Sequence, residues 1–281
     1  MQNIVRNAVL KAQELLKLSD SEYCKAEECL LAEIGINMST IMNSGLSVKS
    51  FSESFGLTGR LDAEYYQDRH KKLISALNAT GTIRTKCNIY DKTYAPISSL
   101  EYKYIELANI GKYGEINDVD IIPGAELPTR ARRIVHKGQI LVSSIEGSLE
   151  SCALVTSEYD NALCSTGFYV IDSTEYNSEM LLVLLKSKPI QSLLKRGCSG
   201  TILTNISKGE FLNIPLPNVK NEVQEEVRKR ISSSYCLRNQ SNKILECAKQ
   251  AVEIAIEQDE ATAIAWLNTK IPEFTEGQKI I

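Results

Sequence analysis

Residues 221–255, NEVQEEVRKRISSSYCLRNQSNKILECAKQAVEIA, decide how the chain is read. Val227, Ile231, Leu237, Ile244, Leu245, Ala248, Val252 and Ala255 make an apolar stripe near heptad spacing, and neither glycine nor proline falls between Pro217 and Pro272. Asn221 and Gln224 have the spacing of a capping box. The pattern predicts a long helix within 217–270, about 60 Å for about forty residues. A helix of that length needs a partner. Ser234, Ser241, Ala248, Ala251 and Ala255 within the stripe predict close approach of another helix rather than a leucine-zipper seam. The competing expectation is a helix folded back on its own domain.

Upstream of this segment the pattern is mixed. Residues 4–18 place Ile4, Val5, Ala8, Val9, Ala12, Leu15 and Leu16 on one helical face. Ser19 and Glu22 then have capping-box spacing for a second helix, with Tyr23, Ala26, Leu30 and Ile34 on its face and Gly35 as its stop. From about residue 47 the period shortens. Runs ending at Ile110, spanning Ile134 to Val142, Ala153 to Thr156, and Gly167 to Ile171, predict strands separated by glycine, proline and asparagine. A helical stretch from Ser178 to Lys195 contains Pro189, which is tolerable where it starts a second helix or kinks the first. The expected fold is mixed α/β with a β-sheet core. Residues 1–46 are an N-terminal helical segment, 47–216 a globular domain, 217–270 the long helix and 271–281 a frayed tail.

Composition narrows the function classes. The eight cysteines are scattered without a Cys-x-x-Cys pair, and the chain has only two histidines, His70 and His136. This spacing predicts free thiols in a reducing compartment and no metal site. No signal-peptide pattern or membrane-length apolar run occurs, so the expected location is cytoplasmic. A net charge of −3 is wrong for a protein that coats nucleic acid indiscriminately, so any DNA contact must come from local basic patches. No glycine-rich cofactor loop with an Asn-Pro-Pro-Tyr-like motif occurs, and no Walker phosphate loop. The expected catalytic set is empty.

Several blocks, in order, carry a resemblance: Arg60-Leu-Asp-Ala-Glu-Tyr-Tyr66, the Tyr104 to Ile110 run, Ala131-Arg-Arg-Ile-Val-His-Lys-Gly138 through Ser144, Ser165-Thr-Gly-Phe168, and Asn205-Ile-Ser-Lys-Gly-Glu-Phe211 through Ile214-Pro-Leu-Pro217, with Gln224 soon after. Over roughly 47–231 the chain resembles the target-recognition domain of type I restriction-modification specificity (S) subunits. The resemblance implies a domain that reads one half of a split site in double-stranded DNA. It also implies coiled-coil helices that set the spacing and dock the modification (methyltransferase) and restriction subunits. Those partners would use S-adenosylmethionine, ATP and Mg, and this chain no cofactor. The recognition-domain-plus-helix unit occurs once here, which implies a half-size subunit acting as a homodimer through its helices.

Base edges are read by directional donors and acceptors on exposed loops, and three loops qualify. The first carries Arg84, Lys86 and Lys92 among Asn88, Tyr90 and Tyr94. The second is the cluster Arg130, Arg132, Arg133 and Lys137 at a strand entrance. The third holds Lys195, Arg196, Ser199, Thr201, Asn205 and Lys208 around two glycines. The last two suit phosphate contact, because guanidinium and ammonium groups flank small residues that let backbone approach a duplex. Tyr65, Tyr66, Tyr102 and Tyr104 sit beside apolar residues and are expected to pack. Two other readings compete. One is a helical scaffold that never touches DNA. The other is a Mg-dependent nuclease built on Asp91, Glu101 and Lys103.

Overall fold

The computed structural model describes residues 2–38, 41, 47–200 and 204–270, which fall into two compact units, 2–25 with 229–270 and 26–228. Thr201, and the tail beginning at 271, lie outside the described residues.

Residues 2–34 form one helix where two were expected. α1 spans Gln2–Ile34 without a break. Ser19 caps nothing: it is buried at 0% exposure, and its hydroxyl donates to the Ser234 carbonyl at 2.8 Å. Gly35 does stop the helix, at φ +64°, a left-handed conformation that glycine adopts without strain.

The long helix is present. α8 (Asn221–Glu257) runs 37 residues, about 56 Å at the usual rise. Gln224 does not box its start. Its amide donates to the Glu175 and Val219 carbonyls at 3.0 and 3.1 Å, and its oxygen accepts from Asn177 N at 3.0 Å. The helix stops short of the expected end at 270. Asp259 accepts from Thr262 N at 2.8 Å and restarts the chain as α9 (Glu260–Lys270), so a side-chain cap makes a break that no glycine or proline announces.

Within the unit 2–25 with 229–270, the helices run antiparallel: Ser19 meets Ser234, while Ser241 Oγ donates to the Ala12 carbonyl at 2.7 Å. Ala8, Ala12 and Leu15 pack against Ile244 and Ala248, with Leu237 at the edge. The stripe's helical partner is therefore this chain's own α1. Arg238 to Asp20 at 2.6 Å and Arg230 to Glu22 at 3.2 Å flank the seam.

The unit 26–228 is built on two four-stranded sheets. Before the first strand come α2 (Phe55–Thr58) and α3 (Asp68–Ala76), in a stretch where short strands were expected. β1 (Gly81–Thr82) pairs antiparallel with β12 (Pro215–Leu216), bringing together the ends of the strand-bearing region around α4 (Ile83–Lys86). One sheet orders β4 (Asp120–Pro123), β3 (Glu101–Ile105), β8 (Leu163–Ser165) and β5 (Ala131–Ile134), with β3 and β8 parallel. The Tyr104 to Ile110 run thus leaves its strand at Ile105 and turns through a 3-10 helix at Leu107–Asn109. The other sheet, fully antiparallel, orders β2 (Cys87–Ile89), β9 (Phe168–Ser173), β6 (Ile140–Ser143) and β7 (Cys152–Leu154).

Ile105 and Cys164 from the first sheet pack against Leu141, Ala153, Phe168 and Val170 from the second. All four residues of β6 are buried, because α5 (Ser178–Lys186) covers the other face of its sheet. A strand enclosed on both sides reads as a continuous apolar run, as this one does. Ser187 breaks the helical stretch, and α6 (Lys188–Gly197) opens with Pro189 in its first turn, where its missing N–H costs nothing. β10 (Cys198–Ser199) and β11 (Asn205–Ile206) then form a two-stranded ribbon, followed by α7 (Lys208–Leu212), capped by Ser207.

Candidate nucleic-acid interface

The three loops nominated from sequence meet in space. Lys208, opening α7, ion-pairs with Asp91 of the first loop. Three residues on, Tyr94 N donates to the Arg132 carbonyl at 2.7 Å, tying the first loop to the second. A hydrogen bond from Lys208 holds the Asp91 carboxyl below its ordinary range, and Arg133 adds to the same field. On the third loop, the ribbon is anchored from its β11 side. Ile145 bridges Asn205, Ile206 N donates to the Ser144 carbonyl at 2.8 Å, and Tyr169, stacked on Phe211 at 4.3 Å, donates its hydroxyl to the Ile206 carbonyl at 2.9 Å. Gly197 sits where the last turn of α6 presses on β11: a Cβ there would lie 2.8 Å from Ile206 Cδ1.

The individual residues divide into three groups. Arg84, Lys92, Lys137, Lys195, Ser199, Asn205 and Lys208 are exposed. Arg130 is exposed, and its guanidinium reaches Glu106 at 2.9 Å and the Tyr104 hydroxyl at 3.3 Å. Lys86 and Arg196 are engaged internally. Lys86 is buried, with its ammonium 2.8 Å from Glu175 and 5.3 Å from the Tyr176 ring centre. Arg196 lies against the Tyr65 ring at 4.0 Å. Arg132 and Arg133 belong to β5 itself rather than to a loop before it, and both are half-buried. Tyr102 and Tyr104 pack as expected, but their hydroxyls are bonded, to Ile97 N at 3.0 Å and to Arg130.

A cleft of about 1060 Å³ went unnoticed in the sequence; Glu64, Arg69, Glu146, Glu150, Lys195 and Thr204 are among its walls. The small, polar run Ser143-Ser-Ile-Glu-Gly-Ser148 was the signal that could have found it, because such a run cannot fill space. Beside it, His70 is 2% exposed and neither ring nitrogen hydrogen-bonds to a described residue. Burial, then the neighbouring Arg69 and Arg196, push its pKa down.

Two members of the expected nuclease set have other partners. Asp91 is held by Lys208, and Lys103 donates to the Glu158 carbonyl at 2.9 Å over the Tyr159 ring. Among the described residues, no three His, Cys, Asp or Glu side chains gather to hold a metal ion. The cysteines are free, and burial pushes the thiols of Cys87 and Cys164 up to about 12 and those of Cys152 and Cys198 up to about 11. Among the described residues no helix is long and apolar enough to cross a membrane.

Of the predicted partner-helix residues, Leu237, Ile244 and Ala248 lie in the seam with α1, Val227 and Ile231 are fully buried, and Leu245 is 40% exposed. Val252 and Ala255 are half-buried and line a groove with Val5 and Ile256.

No family model and no curated protein matches the chain. Solved structures do. An HsdS subunit from Thermoanaerobacter tengcongensis is 22% identical, with a TM-score of 0.44 over 62% of this chain and 46% of that one. A chain from a study of complex assembly and conformational transition in the type I R-M system is 22% identical, with a TM-score of 0.47 over 72% and 52%. The type I restriction-modification S subunit from M. genitalium is 12% identical, with a TM-score of 0.44 over 99% and 59%. These three solved chains come from type I restriction-modification systems, and this protein spans about half the length of each.

Proposed function

We propose that the chain is a non-catalytic DNA-reading subunit of a type I restriction-modification complex. It reads one half-site and docks the methyltransferase and restriction subunits, which use S-adenosylmethionine, ATP and Mg in the cytoplasm. One observation carries the reading: the three polar, basic loops, far apart in sequence, meet through the Lys208 pair with Asp91 and the Tyr94 bond to Arg132. A duplex needs cations spread along its backbone and directional groups between them. The exposed Lys92, Lys195 and Lys208 supply the cations, and Ser199 and Asn205 the directional groups.

The remaining half-site is read by a second copy of the module. Exposed apolar residues left on the helices for such company are Leu10, Leu18, Leu245 and Ile256. The test is co-purification with a methyltransferase subunit, followed by duplex binding across a salt series and sequencing of methylated sites. A split motif is expected, and Lys208→Ala should weaken every duplex while reducing the log–log salt slope by about one. An assembled complex that binds duplex DNA without salt dependence sinks the reading.

A further inference from the structure

Loop 58–66 lies outside the three meeting loops, yet it reaches β10 at the base of the ribbon, where the anchors already described hold β11. The Arg60 guanidinium sits 4.2 Å from the Tyr65 ring centre, and the Arg196 guanidinium 4.0 Å from the same centre. Arg60 Nη2 donates to the Cys198 carbonyl at 2.8 Å, and Nη1 reaches the Gly197 carbonyl at 3.5 Å. Its Nε and Nη2 grip the Asp62 carboxylate at 2.8 and 2.7 Å, which fixes the plane of the fork. Arg196 Nε closes the circuit on the Tyr65 carbonyl at 3.0 Å. Gly197 and Cys198 are where α6 ends and β10 begins. Carbonyls at a helix C-terminus lack intrahelical partners and attract cations.

The ribbon cannot orient itself. It has two residue pairs, Cys198 with Ile206 and Ser199 with Asn205, far fewer than an independent hairpin needs. Ser144, Ile145 and Tyr169 tie β11. On β10 the Cys198 thiol reaches back to the Leu194 carbonyl at 3.5 Å, and Arg60 ties the strand to loop 58–66.

We infer that Arg60, Tyr65 and Arg196 form a clamp that positions the paired strands β10 and β11 for sequence discrimination, Arg196 acting through Tyr65 rather than on a phosphate. The inference rests on the proposed DNA-reading role, but its first test does not. Tyr65→Leu removes the ring and Tyr65→Phe keeps it. In hydrogen exchange on the full chain, Tyr65→Leu and Arg60→Ala are expected to speed the amides of 198–200 about tenfold, with β6 and β9 unchanged and Tyr65→Phe behaving as wild type. Arg60→Lys, which keeps the charge and loses the fork, is the milder variant for use if Arg60→Ala opens β6 as well.

With the methyltransferase subunit present, the ratio of binding to the methylated target over a single-mismatch duplex is expected to fall about tenfold in Tyr65→Leu, the scale of one misplaced base contact. The salt slope should hold. Wild-type exchange in Tyr65→Leu and Arg60→Lys overturns the clamp. Faster exchange with discrimination intact overturns its role in reading, and a slope lowered by about one in Arg196→Ala returns that residue to phosphate contact. A wild-type complex that discriminates among no duplexes removes the DNA-reading role, and the exchange result still decides whether the clamp exists.

Discussion

The seam between α1 and α8 and the core between the two sheets are held by different means. The sheet core is filled by volume: Leu141, Phe168 and Val170 of one sheet and Ile105 of the other are all at 0% exposure. The seam mixes bulk from Leu15, Leu237 and Ile244 with small and polar residues. Ala8 and Ala12 face Ala248 across it, and Ser19, Ser234 and Ser241 are buried at 0, 0 and 1% exposure. Small residues let the helices come close, and close helices bury hydroxyls that must then find partners. Ser19 finds Ser234, and Ser241 finds the Ala12 carbonyl. Sliding one helix by a turn would leave each of these groups unpaired, at a cost of about 1–3 kcal/mol apiece. Volume specifies the core, and polar matching specifies the register of the seam.

The largest test of that contrast is Phe168→Ala. Deleting a fully buried ring between the sheets is expected to cost about 3–5 kcal/mol in denaturant unfolding. A loss under about 1 kcal/mol would mean that the core is not packed by volume. Ala12→Leu attacks the seam from the opposite direction. Ala12 is fully buried, so the added methylenes should cost about 1–3 kcal/mol by thermal melting, whereas a stabilised protein would reveal a gap between the helices. Ser19→Ala is expected to cost about 1 kcal/mol. The double variant with Ser234→Ala should cost less than the two single changes combined, and strict additivity would show that the hydroxyls act independently.

How much of this was legible depends on whether a feature is made by neighbours in sequence. The long helix was readable because periodicity and the lack of glycine and proline are local properties of residues 221–257. Its end at Glu257 was not, since the break is an Asp259 cap that resembles any acidic residue on a helix surface. Ser19 and Glu22 carry the local mark of a helix start, but the Ser19 hydroxyl is committed to a residue 215 positions away. The arginines at 132 and 133 looked like a loop because charge obscured a strand of four residues. At the candidate interface, sequence supplied the three loops but not their meeting, and it put Lys86 and Arg196 on the surface. The partners of both, Glu175 and Tyr65, are 89 and 131 positions distant.

The smallest effect separates the two regions by pH. Both histidines, His70 and His136, lie in the unit 26–228, so the helical seam contains no imidazole. His70 is buried with its folded-state pKa pushed below the ordinary value of 6.5, chiefly by burial. Above that value folded and unfolded chains both hold the ring neutral. As pH falls below it, the unfolded chain takes up a proton that the folded chain refuses, so stability declines until the depressed folded-state pKa is reached. In the seam unit, the Glu22 carboxyl is held below its ordinary 4.5 by the Lys25 hydrogen bond and the charge of Arg230, so its contribution is lost only in more acid solution. Hydrogen exchange between pH 7.5 and 5.5, corrected for the intrinsic rate, should therefore show protection falling around α3 while the amides near Ser19 and Ser241 keep theirs. His70→Leu should flatten the α3 profile and leave the seam as it was; a seam that loosens in step with α3 over that range would show that the two regions do not open separately.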